Sequence, residues 1–173
     1  MAPRAAARLE AMGFREIHEY RAGKLDWLAA GLPTEGENSL RPRASAAAHP
    51  EVPTCRLDER LDEVRDRIKA AGWNAAVVVN EEQVVLGVLR SKDLEKELGL
   101  RVADAMRPGP STFRPYIPIK ELADYMTEHS MESSPVTTSD GKLVGLILRS
   151  EAVDLAAGCE DCVRKMINAS PAT

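Results

Sequence analysis

This chain is short of aromatic residues, of cysteine and of long apolar runs, and each shortage narrows what it can be. Aromatic residues fill 4% of its 173 positions, too few for a stacking platform along a single strand of nucleic acid. Three cysteines do not make the disulfide framework of a small secreted domain, which points to a reducing cytoplasm. The three histidines, His18, His49 and His129, share no metal-ligand spacing. No apolar stretch approaches the ~20 residues of a membrane span, and the Ala- and Arg-rich start lacks the apolar core of an export signal. There is no excess of positive charge either: the net charge is -4, which gives no general pull toward nucleic acid or an anionic membrane.

What the chain does have is a repeat. Val77–Asp93 reads VVVNEEQVVLGVLRSKD and returns in step as Pro135–Glu151, PVTTSDGKLVGLILRSE, at the 58-residue offset that separates Gly87 from Gly145. The same offset places Leu61 on Ile119, Val64 on Leu122 and Ile68 on Met126 without a gap. A repeat of this length is one supersecondary unit used twice, and two copies predict a closed pair rather than an array. In the first copy, Leu61, Val64 and Ile68 fall on one helical face within residues 58–71, and Gly72 stops the helix. Residues 75–79 and 84–89 are β-branched runs joined by a polar turn, hence antiparallel strands. Ser91 is placed to cap a helix over 92–98 that stops near Gly99. The second copy predicts a helix over 119–129, strands over 135–138 and 142–148 around a Ser-Asp-Gly turn, and a helix near 150–157. A short extended piece, 53–55 and again 111–113, precedes each long helix.

These residues resemble a tandem pair of cystathionine beta-synthase (CBS) domains. The resemblance is carried by DAM at Asp104–Met106, by SPVTTSDGKLVG at Ser134–Gly145, and by VVVNEEQVVLGVLRSKDL at Val77–Leu94. It implies an α/β (α+β) fold of two βαββα repeats packed about a pseudo-twofold axis, with domains at 52–99 and 100–158. It implies no catalytic role and no required cofactor. It implies a regulatory ligand of adenosyl type, namely AMP, ADP, ATP or S-adenosylmethionine, and signalling to a protein partner in trans. A module that kept the fold and lost the ligand is the alternative.

The resemblance also names the site. Adenosine-binding members carry Gly, two apolar residues, Ser or Thr, two variable residues and Asp, whose carboxylate accepts from the ribose hydroxyls. The first copy reads Gly87, Val88, Leu89, Arg90, Ser91, Lys92, Asp93, with Arg90 in the hydroxyl position; the second has Leu148 there and Glu151 in place of the Asp. Asp93 is therefore either the ribose acceptor or a carboxylate that charges the first turn of a helix, and Glu151 has the same two readings. Arg90 can meet a phosphate or stay solvated. The adenine is expected near Val77 and Thr54 in the first cleft, and Thr112, Pro135 and Val136 are their counterparts in the second. Of the two clefts, the one with Asp93 is expected to dominate.

The flanks read differently. Residues 1–37 predict an αβα extension with helices over 3–12 and 24–30 and a strand over 14–19. The string from Gly13 to Pro33 is similar to the C-terminal end of rhodanese-like sulfurtransferase domains, but no cysteine precedes it to act as nucleophile. Residues 38–51 read as a linker with no apolar periodicity. Residues 159–173 predict a tail helix whose Cys159 and Cys162 are two unpaired thiols. The apolar faces with Ile119, Leu122 and Met126, and with Leu61, Val64 and Ile68, predict a homodimer that covers them.

Overall fold

The computed structural model describes residues 2–18, 23–29, 32–33, 35, 41–97 and 99–158. The predicted tail helix with Cys159 and Cys162 lies outside the described residues. The chain forms two compact units, Met1–Thr34 and Glu35–Thr173.

The first unit contains helices α1, Ala2–Ala11, and α2, Gly23–Ala29. Gly13, at φ +92, ends α1 as its position predicts. Residues 14–18 form no strand, a correction to the sequence reading. Among the described residues of this unit no second strand is present to take up the backbone groups of such a segment.

The second unit carries the repeat. Its elements are α3, Ala44–Ala47; β1, Thr54–Cys55; α4, Leu61–Ala70; β2, Ala76–Val79; β3, Val85–Leu89; α5, Ser91–Leu94; α6, Val102–Ala105; β4, Arg107–Pro108; α7, Ile119–Glu128; β5, Ser133–Thr137; and β6, Leu143–Leu148. A last helix, α8, covers residues 149–158. One sheet has the order β1-β2-β3-β4 and the other β5-β6. β1 runs parallel to β2 with Cys55 opposite Val78, and the single parallel bridge of Phe113 to Val136 repeats that pairing at the same offset. β2–β3 and β5–β6 are antiparallel, with Val78 opposite Gly87 and Val136 opposite Gly145. Both ladders shift register one residue further on, at Val78/Val79 and Val136/Thr137. The repeat is thus preserved down to its bulge.

The pair closes on its own symmetry. Val84 bridges Lys142, its repeat equivalent. Val85 N donates to Gly141 O at 3.0 Å and Leu143 N donates to Gln83 O at 2.9 Å. Each bond is the image of the other, so the pseudo-twofold axis passes between these two turns.

The stretch read as a linker is a structural part of the fold. α3 and α6 are repeat equivalents, and each packs on the opposite half. Val102 and Ala105 complete the core of Leu61, Val64, Ile68 and Leu89, while Ala44 joins Ile119, Leu122, Met126 and Ile147. The strands that follow do the same: Arg107 pairs with Val88 in β4–β3, and His49 bridges Leu146. Gly87 and Gly145 are required here. A Cβ at Gly145 would lie 2.8 Å from His49 C and O, and one at Gly87 would lie 2.9 Å from Arg107 O and collide with Met106 Sδ.

Two further expectations are corrected. α5 is one turn long, ending at Leu94 with Glu95 as its C-cap; beyond it Leu100 O accepts from Leu61 N at 2.9 Å. Ser91 is not its cap; its hydroxyl donates to Asn74 O at 3.2 Å. The helix faces invoked for a homodimer are already covered: Leu61, Val64, Ile68, Leu122 and Met126 are all at 0% exposure and Ile119 is at 2%. They cannot drive association. The larger apolar side chains left exposed on α7 and α8 are Tyr125 and Val153.

Candidate functional site

Asp93 is buried on α5, and its carboxylate is already engaged. Oδ2 accepts from the Arg90 backbone N–H at 3.1 Å, which satisfies an open donor at the start of the helix. Arg107 Nε stands 3.6 Å from the same oxygen, and Lys96 Nζ stands 3.4 Å from Oδ1. Lys96 also donates to Ala105 O at 2.6 Å. Asp93 therefore ties the crossing segment 105–107 to its lobe. Glu151 does the same in the second half, where His49, the equivalent of Arg107, hydrogen-bonds to it. His49 also contacts Glu51 at 2.8 Å and packs edge-on against Trp73. Its pKa is raised, first by the bond to Glu151 and then by that to Glu51.

Of the site residues expected beside Asp93, Val77 and Thr54 fall elsewhere. Val77 is fully buried, in a cluster with Val52, Ala75, Val79 and Leu146. Thr54 is in β1, its carbonyl accepting from Arg67 Nη2 at 3.1 Å. The surface facing Arg90 comes instead from the second copy. Pro110, Ser111, Ser133 and Pro135, with Tyr125, His129, Ser130 and Met131 of α7 and its end, enclose about 260 Å³ against Val88 and Arg90. Val88 and Leu89 themselves are buried in β3 and Gly87 is packed under the β4 crossing. Val136 is buried in the second core, and Thr112 lines a separate surface hollow with Arg114 and Asp140. Pro135, expected in the second cleft, lines the first.

The equivalent positions in the other half are more apolar. Shifting six of the ten lining residues by 58 turns Pro110 into Val52, Met131 into Trp73, Ser133 into Ala75, Pro135 into Val77, Val88 into Leu146 and Arg90 into Leu148, all of them members or neighbours of one apolar cluster. Arg90 and Ser133 of one cleft thus have apolar counterparts in the other half.

The open cleft leads into a larger one of about 1000 Å³ on the other side of Arg90, Ser130 and Ser133, which line both. Its walls carry Arg90, Lys92, Arg107 and Arg149 against the acids Glu132 and Asp154. Repeat equivalents face each other across it, Ser91 with Arg149, Lys92 with Ser150 and Asn74 with Glu132, so it lies on the pseudo-twofold axis. Among the described residues Arg90 Nε is buried without a hydrogen-bond partner, as are Arg56 Nη1 and Arg65 Nε, but of the three only Arg90 lines these clefts. Ser130 holds φ +51 where its equivalent is Gly72. Sequence reasoning missed Arg107, Ser130, Ser133 and the Tyr125–His129 stack, whose centroids are 4.0 Å apart. The signal for Ser130 was present as a residue with a side chain in a glycine's place.

Fold and clefts together define a module of two packed copies with open clefts between them. A family model described as the CBS domain matches residues 44–99 and again 102–158, and the chain belongs to the CBS domain family as a tandem pair. Its similarity to a CBS domain-containing protein of Dictyostelium discoideum is 25% identity over 119 residues, 59% of this chain and 82% of that protein. The cytosolic domain of the Mg2+ channel MgtE, solved in complex with ATP, is 26% identical with a TM-score of 0.61; the match covers 66% of this chain and 48% of that one. CBSX2 of Arabidopsis thaliana, solved in complex with AMP, has the same fold at 20% identity and a TM-score of 0.62, over 69% of this chain and 98% of that one. Among the described residues no helix is long and apolar enough to cross a membrane.

Proposed function

We propose that this module binds one adenosine phosphate (AMP, ADP or ATP) in the Arg90 cleft and signals the bound state to a partner protein. The nucleobase occupies the smaller cavity beside Pro135 and Ser133, and the phosphates occupy the basic cleft. The observation that carries this reading is Arg90, whose buried and unpartnered Nε stands where both cavities meet. A buried donor without an acceptor is costly unless something supplies one, and a phosphate oxygen suits a guanidinium. Four basic side chains against two acids favour an anion over the sulfonium cation of S-adenosylmethionine. The relatives solved with ATP and AMP support the ligand class.

The test is a thermal-shift and calorimetric screen with AMP, ADP, ATP, S-adenosylmethionine and NADH, because a ligand of the native state raises its melting temperature by mass action. A shift with the adenosine phosphates, one site per chain, and its loss in Arg90→Ala are the expected results. A second reading, an interaction module without a ligand, is favoured by the apolar residues that replace the cleft lining in the other half and by the engagement of Asp93; it is what remains if the parent binds none of these compounds. Sulfur transfer by residues 1–37 stays disfavoured for want of a thiol there. Association into a homodimer cannot rest on the buried faces of α4 and α7; Tyr125 and Val153 are apolar side chains of α7 and α8 that are exposed, and light scattering at high micromolar concentration decides it.

A further inference from the structure

Asp93 and the basic cleft share a residue. Arg107 reaches Asp93 Oδ2 from β4, and it also lines the wall of the cleft that takes the phosphates. The three partners of Asp93 are not equally held. The Arg90 N–H bond is a backbone bond of 3.1 Å. Lys96 is braced by its second contact with Ala105 O. Arg107 stands at 3.6 Å, outside hydrogen-bond range, with its side chain 56% exposed. Of the three partners Arg107 has the longest contact and the most exposed side chain, so it is the one that gives way.

We propose that Arg107 is an exchanging residue: it neutralises Asp93 in the empty module and moves to the phosphate when nucleotide binds, which frees Asp93 Oδ2 for a ribose hydroxyl. This rests on the reading of the Arg90 cleft as an adenosine phosphate site. A carboxylate offers about four acceptor positions, and removing Arg107 opens one without disturbing the helix start. The exchange makes the site selective. A nucleoside that takes Asp93 leaves Arg107 without a partner, whereas a nucleotide supplies one. It also gives ligand binding a mechanical consequence, because Arg107 belongs to the crossing strand that pairs with Val88. The second half differs at this point: there the counter-ion is His49, locked between Glu151 and Glu51.

The decisive measurement is calorimetry of AMP and adenosine on the parent and on Arg107→Gln. In the parent AMP binds more tightly than adenosine. In Arg107→Gln the preference for AMP falls about tenfold, the weight of one lost charge-assisted bond, and adenosine itself binds more tightly than to the parent because its competitor for Asp93 is gone. The tightening is the signature, since a merely structural arginine would weaken both ligands together. Equal weakening of both, or an unchanged preference, overturns the exchange while leaving the nucleotide site standing. If the parent binds neither compound, the site reading itself fails. A second readout uses the parent alone: the side-chain Nε resonance of Arg107 moves on titration with inorganic pyrophosphate. A response confined to Arg90 and Arg149 overturns the proposal.

Discussion

The two halves of the pair share their strand register, their bulge and the exchange of their leading segments, yet one lines its cleft with Arg90 and Ser133 and the other has Leu148 and Ala75 at the same places. Their difference lies in a handful of side chains. Where the first cleft has Met131, Ser133, Pro135 and Arg90, its image has Trp73, Ala75, Val77 and Leu148. Fold is set by positions that both copies keep, such as Gly87 and Gly145, which admit the crossing strands. The lining of the clefts is set by positions at which they diverge. A repeat that retained two equal sites would have had to keep both polar linings, and replacing one of them adds apolar burial.

The comparison can be broken most severely at its shared point. Gly145→Ala forces a Cβ to within 2.8 Å of the His49 backbone, and backbone cannot move aside as a side chain can. Overpacking of this kind costs about 3 kcal/mol, read as a lower urea midpoint. Gly87→Ala meets the flexible Met106 side chain as well as Arg107 O and is expected to cost less; equal losses would show that the two crossings are held alike. Trp73→Ser removes the largest side chain packed on the apolar cluster that replaces the cleft lining. Trp73 is only partly buried against its cluster, so the loss is about 2 kcal/mol, below that of a fully buried Trp, and titration with AMP still gives one site. A second binding event would show that Trp73 alone separates the halves.

Smaller changes sharpen it. Ser130→Gly makes the second copy like Gly72 of the first and relieves a left-handed backbone, which raises stability by about 1 kcal/mol. The same change removes a side chain from the junction of the two cavities, so nucleotide affinity is expected to fall while the urea midpoint rises. The least effect is that of pH at His49. Its folded pKa lies above the ordinary 6.5, so the fold favours the imidazolium. That contribution is complete below 6.5 and is lost as pH rises through the raised value. The denaturation midpoint therefore declines over that window, and His49→Gln flattens the profile.

Much of this fold was legible because the repeat keeps its period: α4, α7 and both hairpins follow from the spacing of Leu61, Val64, Ile68 and their images. The crossing segments were not, for a physical reason. α3 is made almost wholly of alanine and shows no apolar face, so it reads as a linker; only extension of the 58-residue offset upstream, which sets Ala44 on Val102 and His49 on Arg107, identifies it. The site was half legible. Arg90 lines both clefts, while Asp93 is buried and bound within its own lobe. Their expected neighbours Val77 and Thr54 belong to the other side, since a cleft between two copies takes its second wall from the partner copy, and a motif read along one copy has no knowledge of that.

The crossing of α3 and α6 also governs the order in which this chain can become structured during synthesis. When residue 99 leaves the ribosome the first lobe has its helix and hairpin, but Val88 in β3 still lacks the strand at Arg107, and the core around Ile68 lacks Val102 and Ala105. An unpaired strand edge is a site for wrong associations. Residues 44–49, made early, wait until β6 exists before Leu146 can receive His49. Neither lobe is finished before the other has begun, and the contacts that finish them span long loops, which slows folding. A gene fragment encoding a single copy is thus expected to give insoluble protein, whereas the pair from residue 41 to 158 holds every strand and helix that its two lobes exchange.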